Sequence, residues 1–480
     1  MSPYTLKLAS KLENLIKATG KKWLLVNSGA LRGCTTALLS LLLVSACMPQ
    51  PSERGSVAKA ITSTLSSAVV EADPDDQLKI DLNSDFAKAL NEVVRSNKAY
   101  SAALASERSL FSKVASAESV QRPQIRGNST VGGVRETGGN AADKTTKGMA
   151  AGLNVSQLIF DGGLSSANID QAMAQSLRAT AERQVIGNEI ALEAAQAWID
   201  YWQYQSRLNI LDIRTAEMAD LVSKMERMSS NGMIDRSALD SARRQALDMA
   251  LEEKLLRNGL DEARIKFKRF FNQEINNISE PEEIVDLAEA RAQANNWQEA
   301  PGLRRSAAEV VIANNAVNIA KAAFKPQARL QAGVTSPMDT GDSTDTSIGL
   351  LLEYTFGDGG KREANLKEAE AGLEAAEARL DDVQKVFSAE MAASLNKLNS
   401  LAASLPLVNE KIAISRVEAE TARSQLSTGQ TNLRQLIDAE LENYRAEDKQ
   451  LVLNAEKLVL QFAIAAKTGA LGKLINLDIP

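Results

Sequence analysis

The chain of 480 residues contains no histidine and only two cysteines. Without histidine it lacks the commonest general acid–base catalyst, the base of Ser–His and Cys–His nucleophilic sites, and the usual zinc ligand. Cys34 and Cys47 both lie near the N-terminus, so neither a disulfide framework nor a thiolate metal cluster is expected. The sequence also has no Gly-rich phosphate loop and no dinucleotide fingerprint. We therefore expect a protein that is not an enzyme and that uses no cofactor or metal.

The chain also lacks a large excess of one charge sign, and long apolar runs are few. There are 61 acidic and 55 basic residues, and this net charge of -6 argues against a nucleic-acid partner. One apolar run, Ala37–Val44, has the basic flank and the short length of a secretory signal. It ends in Ser45-Ala46-Cys47, which resembles the bacterial lipobox, so we predict a lipoprotein signal peptide at 1–46 and lipidation of Cys47. An ordinary signal peptide or an anchor helix with an incidental cysteine is the alternative.

The most informative feature that is present is an internal repeat. Asp161-Gly162-Gly163 recurs as Asp358-Gly359-Gly360, and Gly232 recurs as Gly429, each 197 residues later. A constant offset over such a distance predicts two copies of one structural unit. After the signal peptide, the predicted domains are a flexible periplasmic tether at 47–84, a first repeat at 85–271, an irregular linker at 272–301, a second repeat at 302–470 and a C-terminal tail at 471–480.

Apolar and polar residues alternate in each repeat, which predicts a β-hairpin at 123–160 and another at 326–357. The predicted apolar positions are Ala151, Leu153, Val155 and Ile159 in the first hairpin, and Ala328, Leu330, Ala332, Val334, Ile348, Leu350, Leu352, Tyr354 and Phe356 in the second. Two interpretations remain open: hairpins packed on a soluble core, or four strands of a membrane barrel with the apolar band outward. Four strands cannot close a barrel, and open edges are not tolerated in lipid, so the second interpretation requires oligomerisation.

Helical patterns surround the hairpins. One helix is predicted from Asp85 to Gln121, and very long helices are predicted from Asp161 to Ser230 and from Asp358 to Thr428, each followed by a return helix. Gly162, Gly163, Gly359 and Gly360 are predicted to redirect the chain from strand to helix, with Asp161 and Asp358 as helix caps. Gly232 and Gly429 are predicted to form left-handed turns between antiparallel helices.

Motifs in this order resemble the TolC-like outer-membrane efflux proteins. The carriers are Arg122-Pro123-Gln124 and Lys325-Pro326-Gln327 before the hairpins, Phe160 to Gly163 and Phe356 to Gly360 after them, and Leu436 to Glu440 beyond the second glycine turn. The resemblance implies a mainly α chain with a transmembrane β-barrel: a homotrimer whose twelve-stranded barrel continues into a periplasmic α-helical tunnel. It also implies a lipid-anchored location in the bacterial outer membrane.

The resemblance further implies a function and a set of site residues. Such proteins are passive exit ducts for efflux or type I secretion, supplied by a periplasmic adaptor protein and an inner-membrane ABC or proton-driven transporter. Asp438 and Gln435 match an aspartate pair that narrows the periplasmic entrance in some relatives, while Leu426 and Thr431 match a latch that is absent or rebuilt here. The turns at Gly232 and Gly429 match the adaptor-contact zone. The alternatives are a solvated helix-flank carboxylate for Asp438, and a periplasmic coiled-coil adaptor or scaffold lipoprotein without a pore for the whole chain.

Overall fold

The computed structural model describes residues 85–136, 144–272, 277–281, 300–336, 344–427 and 432–477, together with residues 56, 59, 60, 63, 283, 288, 292 and 297. The predicted signal peptide lies outside these residues, as do nearly all of the tether, Cys47, Gly429 and Thr431.

The elements in chain order are α1 (Asp85–Ser96), α2 (Lys98–Ser119), β1 (Gln124–Glu136), β2 (Lys144–Phe160), α3 (Leu164–Ser230), α4 (Arg236–Phe271), α5 (Pro301–Ala322), β3 (Gln327–Thr335), β4 (Asp345–Glu353), α6 (Lys361–Ser427), α7 (Leu433–Thr468) and α8 (Ala470–Leu474). Both long helices have 67 residues and both return helices have 36. Leu164 and Lys361 differ by 197 positions, as do Arg236 and Leu433. The duplicated order of helix, hairpin, long helix and return helix is therefore confirmed.

One predicted helix and the last predicted strand have other bounds in the structure than expected. The helix expected from Asp85 to Gln121 is broken at Asn97, whose side-chain Oδ1 accepts a hydrogen bond from the Ala99 N–H and so starts α2 afresh. The last strand ends at Glu353 rather than near Phe356, although its apolar alternation continues. Glu353 lies opposite Gln327, the first residue of β3, and the preceding Pro326 has no N–H for a further ladder bond.

The long helices begin three residues later than predicted, and residues 471–477 of the predicted C-terminal tail pack against the helices. Leu164 and Lys361 each follow two residues with left-handed φ, and a helix cannot start before such residues. Beyond α7, Leu471, Leu474 and Leu477 are buried in the helical core. Hydrogen bonds hold this segment as well, including one of 2.8 Å from the Gly472 N–H to Asn188 Oδ1.

One compact unit, residues 119–162 and 325–355, contains a single antiparallel sheet in the order β1-β2-β3-β4. Because directly opposed residues of neighbouring strands point to the same face, the register defines rows across the sheet. One such row is apolar and consists of Ile125, Val155, Ala332 and Ile348; the next is mostly polar and consists of Arg126, Asn154, Gly333 and Ser347. A register shift between Leu158 and Phe160 places Phe160, and not Ile159, opposite Ala328.

The other compact unit, Pro51–Glu118, Gly163–Phe324 and Phe356–Pro480, contains all the helices named above apart from the end of α2. Its centre is α3, which packs against α4, α5 and α7, while α6 packs against α5 and α7. Three apolar clusters follow one another along α3, around Ile169, around Ile199 and around Leu211. Within the described parts of the chain, no helix is long and apolar enough to cross a membrane. The two compact units do not coincide with the two sequence repeats, because both hairpins share one unit and the helices of both repeats share the other.

Candidate functional sites

The chain turns from strand to helix through two left-handed glycines in each repeat. Gly162 and Gly163 have φ of 69° and 93°, and Gly359 and Gly360 have φ of 66° and 89°. An L-residue is strained in this region, which glycine enters freely. At Gly162 space is also restricted, because an added Cβ would lie 2.5 Å from Lys325 Cβ, and Lys325 Nζ donates a 3.0 Å hydrogen bond to the Gly162 carbonyl oxygen. Gly163 has no such neighbour.

We expect Gly162→Ala to destabilise the protein more than Gly163→Ala. Both substitutions place a side chain at positive φ, at about 1 kcal/mol each, and Gly162→Ala adds the overlap with Lys325, for a total of about 2 kcal/mol. The measurement is the midpoint of urea unfolding, followed by circular dichroism in detergent. Equal midpoints for the two variants would show that the contact with Lys325 adds nothing to the backbone requirement.

The aspartates before these glycines differ between the repeats. Asp358 Oδ1 accepts from the Gly360 N–H at 3.1 Å, and its Oδ2 accepts from the Arg362 backbone N–H at 3.0 Å and from Arg362 Nε at 2.8 Å. Desolvation works to raise the pKa of Asp358, but these hydrogen bonds and the charge of Arg362 outweigh it, so the pKa is lowered. Position 165, the equivalent of Arg362, is a serine. The cap role of Asp161 stays a prediction.

The two residues assigned to the entrance constriction lie on the first turns of α7. Asn432 caps this helix by accepting from the Gln435 N–H at 2.9 Å. Gln435 and Asp438 are both exposed and are three residues apart, so they share one side of the helix, while Leu436 and Ile437 point into the core. Asp438 Oδ1 accepts from Gln245 Nε2 on α4 at 3.3 Å. Its Oδ2 lies 4.0 Å from Arg434 Nε on the same helix, and 56% of the Asp438 side chain is exposed within one chain.

The glycine turn between α3 and α4 lies at the same end of the helical unit as the start of α7. Met225, late in α3, shares a cluster with Leu239, early in α4, and with Leu433. Gly232 has φ of 70°, donates to the Ser229 carbonyl oxygen at 3.0 Å and is followed by the exposed Met233. Of the predicted latch positions, Leu426 packs against the same cluster. The structure thus brings Gly232 together with Asp438 at one end of the helical unit.

A network of charged side chains beside Asp438 was missed by the sequence reasoning. Glu440 is buried on α7; its two oxygens lie 2.6 Å from Arg423 Nε on α6 and 3.2 Å from Arg214 NH1 on α3. Arg214 also pairs with Glu217 at 2.9 Å and with Glu447 at 3.4 Å. Burial works to lower the pKa of Arg214, but the hydrogen bond that Arg214 donates to Glu217 and the charges of its three acidic neighbours outweigh this effect, so the pKa is raised. The network joins helices of both repeats.

The internal repeat could have predicted part of this network. Glu226 and Arg243 form an ion pair of 2.7 Å between α3 and α4, and adding 197 to each number gives Arg423 and Glu440. The same helix–helix contact is thus bridged in both repeats with the charges exchanged. The first pair is half-exposed, whereas the Glu440 side chain in the second is only 7% exposed.

Comparison with known proteins gives consistent matches. Residues 283–470 match the family described as outer membrane efflux protein. The outer membrane efflux protein BepC of Brucella suis biovar 1 (strain 1330) is 22% identical over 410 residues, covering 81% of this chain and 86% of BepC. The outer membrane protein VceC of Vibrio cholerae has a TM-score of 0.68 at 15% identity, covering 80% of this chain and 96% of VceC. The CmeC outer membrane channel of Campylobacter jejuni has a TM-score of 0.65 at 15% identity, covering 84% and 90%. The structural matches establish the fold.

Proposed function

We propose that the chain is a member of the TolC-like outer-membrane efflux proteins and that three copies of it form the exit duct of an efflux system, as its matches to this family and to outer membrane channels support. The observation that carries this proposal is the sheet. One of its faces is mostly apolar, and over the described residues β1 pairs only with β2 and β4 only with β3, so each keeps an unpaired edge. Lipid does not tolerate unpaired edges, so further copies must complete the ladder. Three copies with four strands each give a twelve-stranded barrel.

The helices support assembly independently of the sheet. Within one chain α3 packs against α7, and the repeat makes α6 the equivalent of α3 and α4 the equivalent of α7. The equivalent contact between α6 and α4 is not formed by packing within the described chain. Instead, α4 exposes Leu247, Leu251, Leu255 and Ile265, and α6 exposes Val386, Leu407, Ile414 and Val417. We propose that α4 of one copy packs against α6 of the next.

Residues that are equivalent in the two repeats differ in burial, and this difference indicates that one face of α4 lacks a partner helix within one chain. Leu247 corresponds to Tyr444 and Ile265 corresponds to Phe462, with 197 residues between the members of each pair. Tyr444 and Phe462 are buried on α7, whereas Leu247 and Ile265 are each 70% exposed on α4. An apolar stripe of this length on a helix favours a partner helix over water. The neighbouring copy is the partner that the repeat symmetry predicts.

The end of the helical unit that holds Gly232 and Asp438 is the proposed periplasmic entrance. Three copies of Asp438, with Gln435 beside each, would concentrate negative potential there and favour cations. The turns at Gly232 and Gly429 are the proposed contacts for a periplasmic adaptor, which receives cargo from an inner-membrane ABC or proton-driven transporter. The exposed Met233 beside Gly232 gives this zone an apolar contact residue. A lipid on Cys47 would anchor each copy to the outer membrane in addition to the barrel.

The test is to purify the full-length protein in detergent, measure its mass by light scattering and reconstitute it in planar lipid bilayers. We expect three chains per particle, ion conductance in the bilayer, and retention in the outer-membrane fraction even for Cys47→Ala, because the barrel holds the protein there. A monomer without conductance, released from the membrane by Cys47→Ala, would instead identify a lipid-tethered scaffold.

A further inference from the structure

Two arginines lie on the polar face of the sheet. Arg126 lies in β1 and Arg329 lies in β3, and the register places both on the face that carries Asn154, Gln331 and Ser347. This is the face opposite the apolar one. In a barrel with its apolar band toward lipid, the polar face lines the lumen. The inference therefore rests on the proposed function.

Within the described residues, the guanidinium groups of Arg126 and Arg329 form no ion pair and no hydrogen bond. The residues directly opposite Arg329 are apolar, namely Leu158 on β2 and Leu351 on β4, and Glu353 is its diagonal neighbour, two residues beyond Leu351. Unpaired guanidinium groups on a wall of small polar and apolar residues keep their charge and their five donors available to a ligand.

The distribution of charge along the polar face is uneven. Its acidic residues with described side chains are Glu353 and Asp345, at the two ends of β4. The row of Arg329 reaches β4 at Leu351, two residues from Glu353, and the row of Arg126 reaches β4 at Ser347, two residues from Asp345. The two arginine rows are therefore consecutive charged rows, with one row that contains a carboxylate on either side. Asp345 is three strand spacings, about 14 Å, across the sheet from Arg126, too far to pair with it inside one chain.

The two arginines of one chain are spaced to act on the same stretch of lumen. The row of Arg126 reaches β3 at Gly333, four residues from Arg329. The two Cα atoms are therefore separated by about 13 Å along the strands and by about 10 Å across two strand spacings. Long, flexible side chains at this spacing can contact one extended anionic molecule at the same time.

We propose that these arginines form an anion-binding ring in the barrel lumen, with six guanidinium groups from three copies and specificity for carboxylate and phosphate groups of the cargo. Guanidinium binds both groups with paired, charge-assisted hydrogen bonds. Rings of Arg or Lys are the usual basis of anion preference in pores. The duct then has opposite preferences in series: an acidic ring of Asp438 at the entrance and a basic ring in the barrel.

The experiment measures the chloride-to-potassium permeability ratio of the full-length protein in planar bilayers under a tenfold KCl gradient. The Arg126→Gln/Arg329→Gln double variant removes six positive charges and leaves the three Glu353 and three Asp345 side chains, so the ratio should fall about threefold or more. Arg126→Lys/Arg329→Lys should keep the ratio, because the charge remains. Sodium tripolyphosphate, added on the side of the β-hairpin loops, should block the unmodified protein and fail to block the glutamine variant.

Control variants separate the possible outcomes. Lys147→Gln, on the apolar face, should leave the ratio unchanged, Glu353→Gln should raise it, and Asp438→Asn should raise it by removing the entrance ring. A conducting glutamine variant with the unmodified ratio and full tripolyphosphate block would overturn the inference while the duct stands. A chain that never conducts in its unmodified form would overturn the proposed function itself.

Discussion

Leu350→Arg should prevent stable insertion into the outer membrane, whereas Leu351→Arg should be tolerated. The two residues are neighbours in β4 and both are exposed in the single chain, at 65% and 43%. Leu350 is opposite Leu330 on the apolar face, and Leu351 is opposite Arg329 on the polar face. The two substitutions therefore introduce the same charge in the same strand, on opposite faces.

The expected difference follows from the solvent of each face. An arginine on the lipid face of a membrane barrel costs about 2–4 kcal/mol near the bilayer centre, and the cost applies to each of three copies. An arginine on the lumen face remains hydrated and costs little. We expect Leu350→Arg to abolish the trimer in the outer-membrane fraction, measured by fractionation and by trimer retention on unheated gels. Leu351→Arg should assemble normally and raise the anion preference of the duct.

One result would contradict this prediction. If both variants inserted and assembled equally well, the apolar face would not meet lipid, and the sheet would be a soluble hairpin pair. The sequence alone left that interpretation open, because alternation of period two shows which residues share a face but not what covers the face. Substitution of adjacent residues distinguishes the two.

Much of the fold was readable from the sequence because it follows from local patterns and from the repeat. The offset of 197 residues is kept through two helices of 67 residues and two of 36, so the second copy supplied the element lengths of the first. Alternation in β3 predicted its faces because adjacent side chains of a strand must point to opposite sides. Gly162 and Gly359 marked turns because few other residues adopt their φ values.

The remaining features depend on contacts that a local pattern does not contain. Apolar residues at helical spacing continue past Asn97, so the break in that helix depends on a single side-chain hydrogen bond. Alternation continues to Phe356, but a strand ends where its partner ends, and the partner β3 begins only after Pro326. Nothing near Asp438 in the sequence points to Gln245, which is 193 residues away.

Arg214→Met should cause the largest loss of stability within the helical unit. Arg214 pairs with Glu217, Glu440 and Glu447, and its side chain is only 17% exposed. Methionine keeps the length of the side chain but removes the charge. Among the described residues, Arg423 then remains as the only cation paired with the buried Glu440, and Glu447 keeps Arg416 and the hydrogen bond from the Asn443 amide. Removing one partner of a buried ion pair costs about 3 kcal/mol, because the charge left behind is poorly solvated.

The matched control is Arg243→Met. Arg243 pairs with Glu226 across the equivalent contact of the first repeat, at the same 197-residue offset as Arg423 and Glu440, but both side chains of that pair are about half exposed. Loss of such a pair should cost less than about 1 kcal/mol. The measurement is the free energy of unfolding in urea, followed by circular dichroism in detergent for the full-length protein and both variants.

A second substitution shows whether the cost comes from the stranded charge. In the Arg214→Met background, Glu440→Gln removes the buried carboxylate that has lost its partner, so part of the lost stability should return. If Glu440→Gln lowered stability further and by its full single-variant amount, the two side chains would be acting independently. The ion pairs of the network would then be separate surface contacts. Their links between α3, α6 and α7 would not stabilise the proposed entrance.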